Sequence, residues 1–379
     1  MPEVYITRSA VFLPNEIISN DEMEDYLGYI ADQPSKSKAI VLRNNGIKAR
    51  YYALDKDGNP THTNSQLAAE AVKMLFNQPA KLSEVDLLCC GTSSPDQIMP
   101  SHGLMVHGEL KESGNLEVSS HAGNCCSGIS ALKYAFMSIK SGEYRRAVAV
   151  GSERTSIMMR KERFEEEVKK TKALENSPYL AFEKDFLRWM LSDGAGAFLV
   201  EDQPNKNKLS LKIEWIDATS FANEKEVCMY MGGDKDTQGN FKGYVDFAPQ
   251  EIIEKSVLSM KQDTKLLSEN IAVLGAQFFK KSIEKHGLDT EKVTYFLPHL
   301  SSMFFHQKLQ DALAEQGVPL PHEKWFTNLP DIGNIGAASI YAMVDDLLKG
   351  NKLQKGNQLL LAIPESARFT YMLCLLTVC

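Results

Sequence analysis

A chain of 379 residues is too long for one small core, so two domains or one large duplicated one are expected. With 43% hydrophobic and 24% charged residues it has the composition of a globular protein, and a net charge of -7 speaks against nucleic acid as the main partner. No stretch approaches the roughly 20 apolar residues of a membrane span. Met1-Pro2-Glu3-Val4 lacks the basic start of a secretory leader, so a cytoplasmic protein is expected. The seven cysteines form no C-x-x-C pair, which leaves zinc and thioredoxin-like chemistry unsupported; reduced thiols are the simple reading, and no metal is expected. Arg145 and Arg146 form a local basic patch that could receive an acidic partner.

In chain order, short apolar strands alternate with amphipathic helices. Val85 to Cys90 and Arg146 to Val150 read as buried strands, each closed by a glycine. Between them Ile129, Leu132, Phe136 and Ile139 recur at helical spacing. Ala195 to Val200 is a third strand. Residues 160–185 are dense in both charge signs and suit a solvated helix or flap. The polar run Gln203 to Lys208 marks a boundary between halves, 1–203 and 204–379. A strand-like Leu209 to Trp215 follows, then an irregular glycine-bearing stretch over 222–245. Ile252 to Phe279 reads as one long helix, Val293 to Leu297 as a strand, and Ser302 to Gln316 and Asn334 to Leu348 as helices. Gln358 to Ile363 and Phe369 to Val378 close the chain as a hairpin-like pair. This rhythm predicts an α/β fold with a mixed or parallel sheet, and the similar grammar of the halves predicts an internal duplication.

Three places carry chemistry, each just past a strand or at a helix start, where ligands collect in α/β sheets. Cys125 and Cys126 open the first helix. A thiol there feels the positive helix end, which favours the thiolate, and Ser127 and Gly128 leave room for a substrate. Buried cysteines are more often inert packing. His299 follows a strand ended by Pro298, a position more often structural than catalytic. Asn334 is bracketed by Gly333 and Gly336; a helix N-cap explains it equally well.

Together these residues make a Cys/His/Asn set, and the surrounding motifs resemble the thiolase superfamily, within it the β-ketoacyl synthase III type of condensing enzyme. Leu42-Arg43-Asn44-Asn45-Gly46-Ile47 resembles the early Arg-x-x-Gly-Ile segment, and Gly91 to Asp96, running on to Met99-Pro100-Ser101, the Thr-x-x-Pro-Asp loop. Cys126-Ser127-Gly128-Ile129 resembles the Cys-Ala-Gly-Phe nucleophile motif, which selects Cys126 over Cys125. Val150 to Glu153, Ser192 to Ala197, Leu297-Pro298-His299 and Gly333 to Ser339 match further signatures. Each is weak alone; their shared order across nearly the whole chain is specific.

The resemblance implies a thiolase-like fold of two duplicated βαβαβαββ halves in five αβαβα layers, the first half carrying the cysteine and the second the histidine and asparagine. It implies an acyltransferase without a cofactor: Cys126 carries an acyl group, and His299 and Asn334 stabilise the enolate of a second thioester. The backbone N–H groups of Cys126 and about Ala367 would form the oxyanion hole for the acyl carbon. Arg43, Met99 and Phe369 are the implied substrate contacts, acyl carrier protein or coenzyme A thioesters the implied partners, and a homodimer the implied assembly.

Two departures bear on substrate. Ala39 stands where the family commonly has a tryptophan stacking on the adenine of coenzyme A, which disfavours an acyl-coenzyme A primer. Pro364-Glu365-Ser366-Ala367-Arg368 replaces the family's consecutive glycines, pointing to a reshaped pocket or a loop that keeps its shape without glycine. The N-terminal run Phe12 to Asn15 with Asn20 to Gly28 is similar to ketosynthases that build dialkylresorcinols and flexirubin-type pigment tails. That likeness implies joining a β-ketoacyl and an α,β-unsaturated acyl thioester into a 2,5-dialkylcyclohexane-1,3-dione. The competing expectations are an initiating synthase using a short acyl-coenzyme A and malonyl carrier protein, an inactive partner subunit, and a hydrolase using Cys126 and His299.

Overall fold

In a computed structural model, described over residues 2–164, 186–318 and 320–379, nine strands form one mixed sheet. They are β1 (Tyr5–Phe12), β2 (Leu87–Thr92), β3 (Glu117–Ala122), β4 (Arg146–Glu153), β5 (Gly194–Glu201), β6 (Leu211–Ser220), β7 (Val293–Pro298), β8 (Gln358–Glu365) and β9 (Thr370–Val378). The order across the sheet is β7-β8-β9-β6-β1-β5-β4-β2-β3. Seven helices matter to the site: α1 (Lys38–Asn45), α2 (Asn64–Lys73), α3 (His102–Glu109), α4 (Cys126–Ser141), α5 (Thr264–His286), α6 (Phe304–Glu315) and α7 (Ser339–Lys349).

The strand order repeats. In the first half β2 pairs in parallel with both β3 and β4, and antiparallel β5 leads back to β1. In the second half β7 and β8 are parallel, and antiparallel β9 leads back to β6. A single parallel bridge from Phe296 to Trp325 occupies the edge position that β3 holds in the first half. Tyr5 and Ile6, paired with Lys212 and Leu211, join the halves across the sheet.

Strand alternation sorts side chains into layers. Leu88, Cys90, Val148 and Val150 face α2 and α3. Leu87, Cys89, Ala147 and Ala149 face the opposite way, onto α4 and α7. In the second half Leu359, Leu361 and Ile363 share that middle core, while Leu360 and Ala362 pack against α5 and α6. The result is five layers, with α4 and α7 buried between the two half-sheets. This is the expected thiolase-like αβαβα architecture.

Several boundaries differ from expectation. The long helix over 252–279 is broken: Pro249–Glu254 is a short helix, Lys261–Gln262 a strand, and α5 starts afresh at Thr264. Asp263 caps the new helix, its carboxylate accepting from the Leu266 N–H at 2.9 Å. The stretch 334–348 also divides, a 3₁₀ turn at Gly336–Ala338 preceding α7. The charged segment 160–185 lies outside the described residues from 165 onward. The Arg145–Arg146 patch is neutralised: Arg145 pairs with Asp202 at 3.0 Å, and Arg146 with Glu201 at 2.8 Å and with Glu84.

Candidate active site

Cys126 is the first residue of α4 and is buried. Its Sγ donates to the carbonyl of Ile363 at 3.3 Å and lies 3.7 Å from that of Thr370, so the thiol faces the β8–β9 hairpin. Burial pushes the thiol well above its ordinary range, and the Glu365 carboxylate and Cys125 push the same way. The expected helix-end stabilisation of a thiolate is outweighed here, because desolvation and a neighbouring anion oppose it. The small residues Ser127 and Gly128 serve packing rather than substrate access: a Cβ on Gly128 would stand 2.1 Å from the Ala337 carbonyl oxygen. That close approach seats the Asn334–Ala338 loop on the first turn of α4.

His299 sits just beyond β7, where its backbone N–H donates to the Ala362 carbonyl at 2.8 Å. Ala362 precedes Ile363, so two consecutive residues of β8 hold the histidine backbone and the cysteine thiol. Burial lowers the imidazole to about 4, which keeps it neutral at pH 7. Its Nε2 is buried with no hydrogen-bond partner among the described residues.

Asn334 is 3% exposed, and its backbone is fixed at both ends: its N–H donates to Met190, and its carbonyl accepts from Ser192. It is no N-cap, since Oδ1 accepts from the Gly336 N–H at 2.9 Å, two residues on. That bond orients the amide, and Nδ2 is left with no protein acceptor among the described residues. Glu153 braces the same loop. Its buried carboxylate accepts from Ala337 N–H at 3.2 Å and from the Ser93 N–H and hydroxyl, so the ends of β2 and β4 are tied to the asparagine loop.

An apolar cavity of about 740 Å³, its open mouth included, lies between α5, α6 and the β8–β9 hairpin. Leu267, Ile271, Ala272, Phe279 and Tyr371 are among its walls, and Cys125 and His299 stand in its lining. Arg43, Met99 and Phe369 do not line it. Arg43 is exposed on α1, with no carboxylate partner among the described residues. The end of α1 is tied to the histidine loop, Met303 N–H donating to the Asn45 carbonyl at 3.1 Å. Met99 is 84% exposed beyond β2. Phe369 is fully buried and takes the one left-handed conformation of the 366–369 turn, with φ of +58°, so this turn is made without glycine. Ala39 lies exposed on α1.

Sequence reasoning missed Glu365. Its Oε2 accepts from the backbone N–H of Cys126 at 3.3 Å and of Asn124 at 3.1 Å. A carboxylate thus sits at the donor expected for the acyl oxygen. The carbonyl of Ala367, the other expected donor position, accepts from the N–H groups of Cys228 and Met229. The signal was the missing glycine run itself, which showed that the loop differed but not where its carboxylate pointed.

Comparison with known proteins agrees with this architecture. Residues 283–363 match the family model described as 3-oxoacyl-[acyl-carrier-protein (ACP)] synthase III C terminal. The beta-ketoacyl-[acyl-carrier-protein] synthase III of Aquifex aeolicus is 26% identical over 94% of this chain and 94% of its own. The solved structure of Xanthomonas campestris OleA with bound lauric acid and lauroyl-CoA superposes with a TM-score of 0.73, at 18% identity over 99% of both chains. AbyA1, a tetronic acid condensing enzyme, gives a TM-score of 0.73 at 17% identity over 99% of both. Fold and relatives together define a thiolase-like acyltransferase. Within that class the chain is similar in sequence to enzymes named beta-ketoacyl-[acyl-carrier-protein] synthase III.

Proposed function

We propose that this enzyme joins two fatty-acid-derived thioesters through an acyl-Cys126 intermediate. The observation that carries the reading is the apolar cavity between α5, α6 and the β8–β9 hairpin, with His299 in its lining and His299 Nε2 without a hydrogen-bond partner among the described residues. Its apolar walls suit an alkyl chain, and Cys125, His299 and Ile363 line it, the Ile363 carbonyl taking the Cys126 thiol. The bound lauric acid and lauroyl-CoA of the OleA structure give a medium-length acyl chain a precedent on this fold.

In this mechanism the Cys126 sulfur attacks the first thioester and expels its carrier thiol. The carbon nucleophile of the second thioester then attacks the acyl carbon. Charge gathering on its thioester oxygen is met by His299 Nε2, a donor in the neutral tautomer, and by Asn334 Nδ2. The Gly336 N–H orients the Asn334 amide, and the Ala362 carbonyl fixes the His299 backbone.

The finer reading is a 2,5-dialkylcyclohexane-1,3-dione product, the precursor of a dialkylresorcinol, delivered on acyl carrier protein or coenzyme A. Exposed Ala39 offers no stacking surface for adenine, which favours the carrier protein, and exposed Arg43, with no carboxylate partner among the described residues, stands on α1, whose end is bonded to Met303 after the His299 loop. A homodimer is favoured by the open edge of β3 and by Ile98 and Met99, 67% and 84% exposed. Met99 would then act across the interface. We propose the division into halves at 203/204, in the polar link between β5 and β6. Seven free cysteines fit a reducing cytoplasm, and no helix among the described residues is long and apolar enough to cross a membrane.

The test is incubation with pairs of 3-oxoacyl and α,β-unsaturated acyl thioesters, followed by product mass. A condensed dione supports the reading. Brisk turnover of acetyl-coenzyme A with malonyl carrier protein would favour an initiating synthase, and release of free acid a hydrolase.

A further inference from the structure

Glu365 has no task in the mechanism above, yet its carboxylate is buried against the backbone N–H of the residue carrying the acyl group. It projects from the end of β8, two residues beyond Ile363, whose carbonyl holds the Cys126 thiol. Two backbone N–H groups aim it, and the neighbouring Gly123 leaves room: a Cβ there would come within 3.4 Å of Oε2. Once Sγ is acylated, the acyl oxygen competes for the Cys126 N–H. The displaced carboxylate remains tethered beside the bond-forming carbon.

We propose that Glu365 is the base that removes the α-proton of a non-carboxylated donor thioester, so that the carbon nucleophile arises by deprotonation and not by loss of CO2. The inference rests on the acyl-Cys126 reading and names the donor class for that site. The step balances. The Glu365 carboxylate takes the α-hydrogen as a proton, and the C–H electron pair forms the new bond to the acyl carbon. The C–S bond breaks, and the proton passes from Glu365 to the departing Cys126 sulfur. A second observation agrees: burial raises the Glu365 pKa, which strengthens it as a base. A malonyl donor would bring a second carboxylate into the same dry site, at a like-charge cost.

The experiment uses the full-length enzyme with Cys126 pre-acylated, followed in a single turnover by mass spectrometry. Wild type should condense a 3-oxoacyl thioester in preference to a malonyl thioester, with a primary isotope effect when the donor α-carbon is deuterated. Glu365→Gln should keep its acyl-Cys126 yet condense about 100-fold more slowly or worse, and Glu365→Asp should recover part of the rate. Wild-type condensation rates in Glu365→Gln, or faster condensation of the malonyl donor with CO2 release, would overturn the proposal. If Glu365→Gln does not fold, the isotope effect and the malonyl comparison on wild type decide it. Absence of acyl-Cys126 from every thioester would instead sink the condensing reading itself.

Discussion

The backbone N–H of His299 is bonded to the carbonyl of Ala362 at 2.8 Å. The next carbonyl along β8, that of Ile363, takes the Cys126 thiol at 3.3 Å. One strand of the second half therefore sets the positions of a histidine from its own half and a cysteine from the other. The third member arrives through packing, since the Ala337 carbonyl lies against Gly128 on α4. The histidine and asparagine loops thus dock on one hairpin and on the helix start that carries the cysteine.

The two adjacent cysteines are separable by acyl loading. Cys126→Ala should show no acyl adduct by intact mass after incubation with an acyl thioester, whereas Cys125→Ala should load normally. An adduct on Cys126→Ala that is lost in Cys125→Ala would reassign the nucleophile to the cysteine that borders the cavity.

Removing an enolate donor should separate the half-reactions. His299→Ala and Asn334→Ala should both form the acyl adduct and then condense on the order of 100-fold more slowly or worse. Full condensation by either variant would remove that residue from the oxyanion role.

Acid should destabilise the fold through its buried histidines. Burial lowers His299 and His102 to about 4, against an ordinary value of 6.5. Between these values the unfolded chain binds more protons than the folded one. The stability each neutral histidine contributes is therefore full above about pH 6.5 and is lost as pH falls toward 4, on the order of 3 kcal/mol for each. Glu153, Asp193 and Glu365, raised by burial, act with the opposite sign, stabilising the fold toward low pH. Urea unfolding of His299→Gln should show a flatter pH dependence than wild type between 6.5 and 4; an unchanged slope would exclude the His299 contribution.

Backbone contact at α4 should be intolerant of even a methyl group. A Cβ on Gly91 would stand 2.2 Å from the Ser127 carbonyl oxygen, and one on Gly128 stands 2.1 Å from that of Ala337. Gly91→Ala and Gly128→Ala should each lose about 3 kcal/mol or more in denaturant unfolding. Gly108→Ala, on α3 with nothing within 4 Å, is the control and should be neutral or slightly stabilising.

Filling the cavity should shorten the acyl chain that is accepted. Ala272→Phe projects a ring from α5 into the space. Competition between short and long acyl thioesters, read as the masses of the Cys126 adducts, should shift toward the short chain by about tenfold or more. Unchanged selectivity would place the acyl chain elsewhere.

Much of this was legible in the linear chain. Strand positions were within a few residues because buried strands leave continuous apolar runs, as in Leu87 to Cys90 and Leu359 to Ile363. Helix continuity was harder: apolar spacing runs through 252–279, while the cap at Asp263 restarts the helix. Phe369 shows another limit, since nothing local to it announces a left-handed residue in place of glycine.

By itself, the order of residues determined the α/β rhythm, the repeated strand order and the cysteine, histidine and asparagine proposed for the chemistry, because strands, helices and short motifs are local patterns. Tertiary structure alone decided what surrounds the sulfur. Glu365 stands 239 residues from Cys126 along the chain. A contact over that distance depends on how β8 and α4 pack across the middle layer, and no local pattern encodes it.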